Sequence, residues 1–313
     1  MPHASATADV PLFDAVQIQT HTRCNFTCKF CPHGKIELQH GEMSDETFQR
    51  VVQGLGEIHF TGDIYPYLMN EPLMDKRLVE RVAALRAACP KARIWIDTNG
   101  SLATAELLEK LVEAGASVIT LEIYLPRGKR MPARYTQMHA ALSGKARAHV
   151  FLYERDADAI LTNRAGNVPG RPIPKTPWRL PCERPFRQIY IAYDGSLLLC
   201  CQDYRREAIM GNIHTTPLKD IWHNEAYARV RAEMLRPGRA TTLCERCDYS
   251  GRPGDMPKAM RGKLSAATKV RWKASWLKAA AKDVFGNRML ARYARSWYAR
   301  RVKGGAARHE ERT

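Results

Sequence analysis

The spacing of apolar residues switches between two periods along the first half of the 313-residue chain. Apolar blocks and alternating apolar and polar positions predict strands, whereas apolar residues three and four apart predict helices. The predicted strands cover 16–20, part of 58–69, 92–97, 118–125 and 149–153. The predicted helices cover 44–55, 76–88 and 105–114. Strands and helices therefore alternate up to about residue 160.

This alternation is typical of parallel β/α units, and five strands are too few for a complete eight-unit barrel. The sequence therefore predicts an α/β fold, a partial (β/α) TIM-like barrel over 16–163 that follows a disordered lead-in over 1–15. Polar groups just after parallel strands collect at one edge of the sheet, where active sites form. The candidate positions are the loop after the first strand, Asn70-Glu71, Thr98-Asn99 and Glu122.

The chain changes character near residue 163. Residues 164–181 are rich in Pro, Gly and Arg, which indicates a linker. Residues 182–251 form a small cysteine-rich module, in which two apolar runs around Asp194-Gly195 predict a hairpin and 218–235 predicts a helix. Residues 252–313 place tryptophans among many Lys and Arg residues, which predicts a basic tail of amphipathic helices.

The first chemical motif is a cluster of three cysteines. Cys24, Cys28 and Cys31 have the spacing Cys-x3-Cys-x2-Cys. Three thiolates in a tight loop can bind three irons of a [4Fe-4S] cluster, and the fourth iron stays open to a small molecule. The alternative is a zinc site, for which His21, His33 or His40 would supply the fourth ligand.

With Phe30 before the last cysteine, this motif resembles the signature of the radical S-adenosylmethionine (SAM) superfamily. The resemblance implies that one electron from the cluster cleaves SAM and that the resulting 5′-deoxyadenosyl radical abstracts a hydrogen atom from a substrate. It also implies that Glu71 accepts the SAM amino group, beside Asn70, which stands where the family usually has glycine.

Two further strand ends extend the resemblance. Thr98 and Asn99 match the end of the family's third strand, and Glu122 matches a fourth-strand position that contacts the SAM ribose. Each of these side chains has an alternative role in turns or in capping a strand end. Their order and spacing behind the cysteine motif favour the SAM site.

A second group of cysteines follows in the module over 182–251. The segment resembles the SPASM/twitch modules of radical SAM enzymes, and the resemblance implies one auxiliary [4Fe-4S] cluster with four thiolate ligands, Cys182, Cys200, Cys244 and Cys247. Cys201 is the alternative to Cys200, and a structural zinc ribbon is the alternative to the iron cluster.

The combined architecture resembles 2-deoxy-scyllo-inosamine dehydrogenase-like enzymes. This implies oxidation or epimerisation of a sugar- or aminocyclitol-like small molecule, with a reductant such as flavodoxin or ferredoxin. By the same resemblance Arg164 is the candidate catalytic base, although anion binding or loop anchoring are alternatives for an arginine. Modification of a ribosomal peptide is the second enzymatic hypothesis, and a zinc-bearing nucleic-acid-binding protein is the non-enzymatic one.

Charge separates the tail from the rest. Residues 261–313 carry +12 of the net +17, so the basic character belongs to this segment. Two interpretations are that these helices pack on the body of the protein or dock on an anionic membrane surface. An acidic carrier protein is a further possible partner, and nucleic acid is a less favoured one. The absence of an apolar signal core predicts a cytoplasmic location. Under the docking interpretation of the tail, the protein lies at the inner face of the membrane.

Overall fold

The computed structural model describes residues 10–158, 162–175, 181–235, 241–249 and 251. The chain divides into two compact units, Met1–Lys263 and Leu264–Thr313. The predicted tail over 252–313 lies outside the described residues. Among the residues that are described, no helix has the length and apolarity needed to cross a membrane.

The first half of the described chain alternates strands and helices. In chain order its elements are β1 (Ala15–Ile18), α1 (Asp45–Glu57), β2 (Asp63–Tyr65), α2 (Leu78–Ala88), β3 (Arg93–Thr98), α3 (Ala105–Glu113), β4 (Val118–Leu125), α4 (Ala133–Ala141), α5 (Gly144–Arg147) and β5 (Val150–Asp156). Each predicted strand and helix of this half is present. The helices α4 and α5 are additional, because the segment between β4 and β5 has no clear helical period in the sequence.

The helices and strands of the second half are shorter. They are β6 (Gln188–Ile191), β7 (Ser196–Leu198), β8 (Ile209–Asn212), α6 (Leu218–Trp222), α7 (Glu225–Met234) and α8 (Thr242–Glu245). The predicted hairpin is confirmed, and Gly195 at its turn has φ +81°. The single helix predicted over 218–235 is wrong, because the Asn224 side chain accepts a hydrogen bond from the Tyr227 amide and so starts a new helix there.

All eight strands in the described residues belong to one sheet, in the order β5-β4-β3-β2-β1-β6-β7-β8. In this order every pair from β5 through β6 is parallel, whereas the pairs β6–β7 and β7–β8 are antiparallel. The predicted partial barrel is confirmed as an open sheet that is mostly parallel. The cysteine-rich module does not form a separate sheet, because β6 lies beside β1 and pairs along its whole length.

The period of two within each strand separates the two faces of the sheet. Ile96, Leu121 and Ile123 are buried and belong to one core with the helix residues. Asp97 and Glu122 alternate with them and are only partly buried. The helices therefore cover one face, and the other face presents polar side chains toward the strand ends.

Two segments differ from the sequence interpretation. Val10 and Phe13, within the predicted lead-in, are each 3% exposed, and Phe13 packs against Trp222 with ring centroids 5.4 Å apart. Ala165 and Val168, within the predicted linker, are each 2% exposed. Both segments carry apolar side chains into the core, which charge and Pro/Gly content alone do not reveal. The domain boundaries themselves stay predictions.

Candidate functional site

A cavity of about 220 Å³ lies where the predicted strand ends meet. Nine predicted residues line it together: Cys24, Cys28, Cys31, Asn70, Glu71, Thr98, Asn99, Glu122 and Arg164. They come from five separate segments of the chain. The parallel strand order brings them to one edge, as the β/α pattern predicts.

The cysteine loop is tied to the ends of two strands by hydrogen bonds. The Glu71 amide donates to the Arg23 carbonyl at 3.0 Å, and the Asn99 side-chain amide donates to Asn25 Oδ1 at 2.9 Å. Within the loop, the Cys31 amide donates to the Cys28 carbonyl at 3.0 Å. The thiols are therefore presented by a loop that is fixed at both sides.

Glu71 is the buried centre of this network. Its carboxylate accepts hydrogen bonds from the Thr98 hydroxyl, from the Asn99 amide at 2.9 Å and from the Leu73 amide at 3.0 Å. Burial raises the pKa of Glu71, while these three donors act in the opposite direction. The arrangement holds a carboxylate at the cavity wall, where it can accept a cationic ammonium group.

Two of the three histidines of the zinc alternative, His21 and His33, already have hydrogen-bond partners in the fold. His21 is fully buried, and its Nδ1 accepts a hydrogen bond from the Arg23 amide at 3.0 Å. Burial lowers the pKa of His21 to about 4, so the ring is neutral. His33 Nε2 lies 2.8 Å from the Thr22 carbonyl oxygen. Across the part of the chain that the structure describes, no three His, Cys, Asp or Glu side chains converge to hold a single metal ion.

Two carboxylates on neighbouring strands add a polar wall. Glu122 accepts hydrogen bonds from Tyr124 at 3.0 Å and from Arg155. Asp97, which the sequence analysis missed, accepts one from Tyr67, and burial raises the pKa of Asp97. Its signal in the sequence is the strand period, because Asp97 lies one position before Thr98 in a strand whose apolar residues alternate with it.

Arg164 is presented by a strained turn. Arg164, Ala165 and Gly166 all have positive φ, at +51°, +54° and +79°, and only glycine adopts that region without cost. Asn163 anchors the turn, since its side-chain amide donates to the Arg246 carbonyl at 2.9 Å and its backbone amide donates to Asp248. The turn is thus fixed to the segment that carries the last two cysteines.

The electrostatic surroundings keep Arg164 charged. Burial alone lowers the pKa of Arg164, but Tyr204, Cys201 and Cys31 face it and raise that pKa above its usual value. The Arg164 side chain therefore enters the cavity as a cation. Tyr204, also missed by the sequence analysis, lines the same cavity with its hydroxyl 3.6 Å from Cys31 Sγ.

A second and smaller cavity, of about 30 Å³, lies in the cysteine-rich module. Its lining includes four thiols, those of Cys182, Cys200, Cys244 and Cys247, which are the predicted auxiliary ligands. The remaining lining includes Met234 and Leu243. Cys201 packs instead against a separate apolar group around Tyr190 and Leu198. The structure thus brings Cys200, rather than Cys201, together with the other three cysteines.

The donor sets of both cavities fit iron–sulfur clusters, for which thiolates are the preferred ligands. Burial raises the pKa of Cys24 to about 11 and that of Cys182 well above its usual value. Iron binding at either cavity therefore releases protons from the thiols, as is general for thiolate sites. Three thiols line the larger cavity and four line the smaller one.

One chain segment separates the two cavities. Arg164 lines the first cavity, and its neighbour Ala165 lines the second. The same relation recurs later in the chain, where Cys200 lines the second cavity and Tyr204 lines the first. The two cavities are therefore adjacent. The segments that contain Arg164-Ala165 and Cys200 to Tyr204 lie between them.

Comparison with known protein families agrees with this geometry. Residues 18–127 match the radical SAM superfamily, and residues 182–248 match SPASM, an iron-sulfur cluster-binding domain. The first range contains the three-cysteine loop and the strand ends of the larger cavity. The second contains the four cysteines of the smaller cavity.

Two individual relatives match this chain in sequence. The chain is 28% identical over 240 residues to the S-adenosyl-L-methionine-dependent 2-deoxy-scyllo-inosamine dehydrogenase of Niallia circulans, which covers 76% of this chain and 93% of the relative. It is 26% identical over 102 residues to the tungsten-containing aldehyde ferredoxin oxidoreductase cofactor-modifying protein of Pyrococcus furiosus, which covers 33% of this chain and 28% of that protein.

Solved structures extend the comparison to the fold. The crystal structure of BtrN in complex with AdoMet and 2-DOIA matches with a TM-score of 0.66 and 25% identity, over 76% of this chain and 94% of that one. Native anSMEcpe with bound AdoMet and Cp18Cys peptide matches with a TM-score of 0.50 and 14% identity, over 88% and 100% of the two chains. The second match shows a shared fold alone.

These matches establish the cofactors as a [4Fe-4S] cluster with SAM and an auxiliary [4Fe-4S] cluster. They replace the zinc interpretation of both cysteine groups, and with it the hypothesis of a nucleic-acid-binding protein. The protein is a radical SAM oxidoreductase, with a radical SAM domain over residues 18–127 followed by a SPASM domain over residues 182–248.

Proposed function

We propose that this enzyme oxidises a hydroxyl-bearing carbon of a sugar- or aminocyclitol-like small molecule. The observation that carries the proposal is the shared lining of the first cavity, in which the three thiols, Glu71, Glu122 and Arg164 surround one space. When bound there, the cluster and SAM supply a 5′-deoxyadenosyl radical that abstracts a hydrogen atom from the substrate. The similarity to an aminocyclitol dehydrogenase supports the substrate class.

Within this cavity we assign three cysteines and five binding residues. Cys24, Cys28 and Cys31 hold the cluster, and Glu71 accepts the SAM amino group with its buried carboxylate. A second group contacts the rest of SAM from neighbouring strand ends, namely Asn70, Thr98, Asn99 and Glu122. The Asn70 side chain also accepts a hydrogen bond from the Leu68 amide at 3.0 Å, so it shapes the loop in which Glu71 lies.

We assign Arg164 as the residue that contacts the reacting hydroxyl of the substrate. The sequence resemblance predicts a base at this position, whereas the raised pKa of Arg164 favours a guanidinium cation. A cation that donates a hydrogen bond to the hydroxyl stabilises the oxyanion that forms as the proton leaves. Loss of a hydrogen atom to the 5′-deoxyadenosyl radical, of the hydroxyl proton to solvent water and of one electron converts the hydroxyl carbon to a carbonyl. We assign the four thiols of the second cavity to the cluster that accepts the electron.

The experiment that tests this function follows one hydrogen atom. The anaerobic holoenzyme is incubated with SAM, a reductant such as flavodoxin or ferredoxin, and aminocyclitols deuterated at single carbons, starting with 2-deoxy-scyllo-inosamine. We expect deuterium in 5′-deoxyadenosine and a carbonyl product two hydrogens lighter than the substrate. Arg164→Gln should still cleave SAM but lower product formation about a hundredfold, the scale of a lost hydrogen-bond donor to an oxyanion.

Three results would contradict the proposal. A product of unchanged mass that takes up solvent hydrogen at the labelled carbon would establish epimerisation instead. Deuterium transfer from a peptide and not from any polyol would establish the peptide-modifying alternative. SAM cleavage without transfer from any polyol or sugar would exclude this substrate class.

The basic tail over 252–313 has a separate proposed role, which rests on its charge and tryptophans. We propose that it docks on an anionic membrane surface. Flotation of the full chain with vesicles containing acidic lipid, and loss of flotation when residues 262–313 are removed, is the expected result. Equal flotation of both chains, or no flotation of either, would contradict it.

A further inference from the structure

Arg184 has a contact at the second cavity that the set of four thiols does not explain. It begins a short 3-10 helix, Arg184–Phe186, two residues after Cys182. Its Nη1 donates a hydrogen bond to Cys200 Sγ at 3.3 Å, and its side chain lines the cavity with the four cysteines. A cation therefore lies directly against one of the proposed ligand sulfurs.

The position of this cation is fixed by an aromatic ring. The Arg184 guanidinium carbon lies 4.2 Å from the centre of the Tyr249 ring. The Tyr249 hydroxyl donates to Glu183 Oε1 at 2.7 Å, and the Tyr249 amide donates to Cys247 Sγ at 3.3 Å. The ring is thus held at both ends, and the guanidinium is stacked between it and the thiols.

Arg184 retains its positive charge in this place. An arginine guanidinium stays protonated in proteins, so the group that donates to Cys200 Sγ is a cation. The reduction potential of an iron–sulfur cluster depends on its net charge and on hydrogen bonds to its sulfurs. An added electron makes the thiolates more negative, so a fixed cation that donates to one of them stabilises the reduced state.

We propose that Arg184 is a positioning residue that raises the reduction potential of the auxiliary cluster and thereby favours electron transfer to it. In the oxidation, the substrate radical first loses its hydroxyl proton and then gives up one electron. The auxiliary cluster takes up that electron and is reduced by one unit, and the substrate becomes a carbonyl compound. This inference rests on the proposed function, because that function assigns the four ligands and the electron acceptor.

The test compares reduction potentials in the anaerobic holoenzyme by redox titration with electron paramagnetic resonance. Arg184→Gln removes the charge and keeps a side chain of similar polarity, and Arg184→Lys keeps the charge. Arg205→Gln is the matched control, since Arg205 is an exposed arginine of the same module that hydrogen-bonds to Asn167. Added SAM perturbs the signal of the cluster that binds it, which distinguishes the two titrations.

At a fixed potential we expect Arg184→Gln to lower the ratio of reduced to oxidised auxiliary cluster about tenfold, equal to about 59 mV for a one-electron couple. Arg184→Lys should restore part of this shift, and Arg205→Gln should match the wild type. An unchanged potential in Arg184→Gln with four auxiliary irons retained would overturn the inference. An equal shift in Arg205→Gln would overturn it as well.

If the Arg184→Gln variant loses its auxiliary iron, the Tyr249→Leu and Tyr249→Phe variants are compared instead. The leucine variant removes the ring under the guanidinium and should lower the potential, whereas the phenylalanine variant keeps the ring and should lower it less. Equal potentials in the two would overturn the inference. Failure of the proposed function has a different signature, because the wild type itself would then lack auxiliary iron or produce no carbonyl compound.

Discussion

The two cysteine cavities differ in volume, in thiol count and in the lining between the thiols. The first has a volume of about 220 Å³ and includes carboxylates, amides and a guanidinium beside three cysteines. The second has about 30 Å³ and packs four cysteines with apolar side chains such as Met234 and Leu243. The first cavity therefore has room and polar partners for a small molecule beside its thiols, whereas the second is much smaller.

Cysteine thiols therefore serve two purposes in this enzyme, substrate-side coordination in the first cavity and electron transfer in the second. Three thiols leave one iron available for coordination, and the surrounding polar groups can orient what binds there. Four thiols complete the coordination of every iron, so the cluster is confined to electron transfer. Single substitutions of the thiols and of neighbouring groups test whether the two cavities have these separate roles.

The largest effect is expected from the first cavity. Cys28→Ala should remove the SAM-binding cluster, lower the iron content from about eight to about four per chain, and abolish SAM cleavage. Iron analysis and chromatographic detection of 5′-deoxyadenosine measure both results. Retained cleavage in this variant would mean that SAM binds at the other cluster.

A smaller effect is expected from the second cavity. Cys182→Ala should also reduce iron to about four per chain, but SAM cleavage should persist while the carbonyl product is lost. The same iron and 5′-deoxyadenosine assays, with mass spectrometry of the product, separate the two variants. Loss of cleavage in Cys182→Ala would show that the two clusters are not independent in role.

Glu71→Gln tests the polar lining of the first cavity. Replacing the carboxylate should weaken SAM binding about tenfold, near the 1.5–3 kcal/mol of a hydrogen bond to a charged group. Because burial raises the pKa of Glu71, the wild-type affinity should fall as pH decreases, and it should do so at a higher pH than an ordinary glutamate would allow.

Calorimetric titration of SAM between about pH 8 and pH 5 measures this dependence. The glutamine variant should bind weakly at every pH, because it has no carboxylate to protonate. A wild-type affinity that is independent of pH, or a variant with the wild-type profile, would exclude Glu71 as the acceptor of the ammonium group.

The smallest effect is expected from Cys201→Ser, which changes one of two adjacent cysteines. Cys200 lines the second cavity and Cys201 does not, so Cys200→Ser should lose the auxiliary cluster and Cys201→Ser should keep it. Iron content and the visible spectrum of the two variants give the answer. The reverse outcome would assign the ligand to Cys201 and place Cys200 outside the cluster.

Much of the first half could be predicted from the sequence because its signals are local. Strand and helix periods place β1 to β5 and α1 to α3 correctly, and parallel topology then forces the strand-end residues together. Asp97 was within reach of the same reasoning, since it alternates with buried isoleucines in β3.

Tyr204 and Arg184 of the second half could not be predicted, because their positions depend on contacts distant in sequence. Tyr204 reaches Cys31 across 173 residues, and Arg184 reaches Cys200 only after the hairpin has folded. Arg164 was found by resemblance, but its charge depends on neighbours such as Tyr204 that no local pattern places beside it.

The pairing of β6 with β1 limits how this enzyme can be rearranged by evolution or by engineering. Along the seam, Ala15 lies opposite Gln188 and Ile18 lies opposite Ile191. A foreign module grafted after the barrel would have to supply a strand of matching register, or the edge of β1 would be left unpaired. The cysteine-rich half is therefore not an exchangeable cassette, and new substrate ranges should arise instead from the loops at the strand ends.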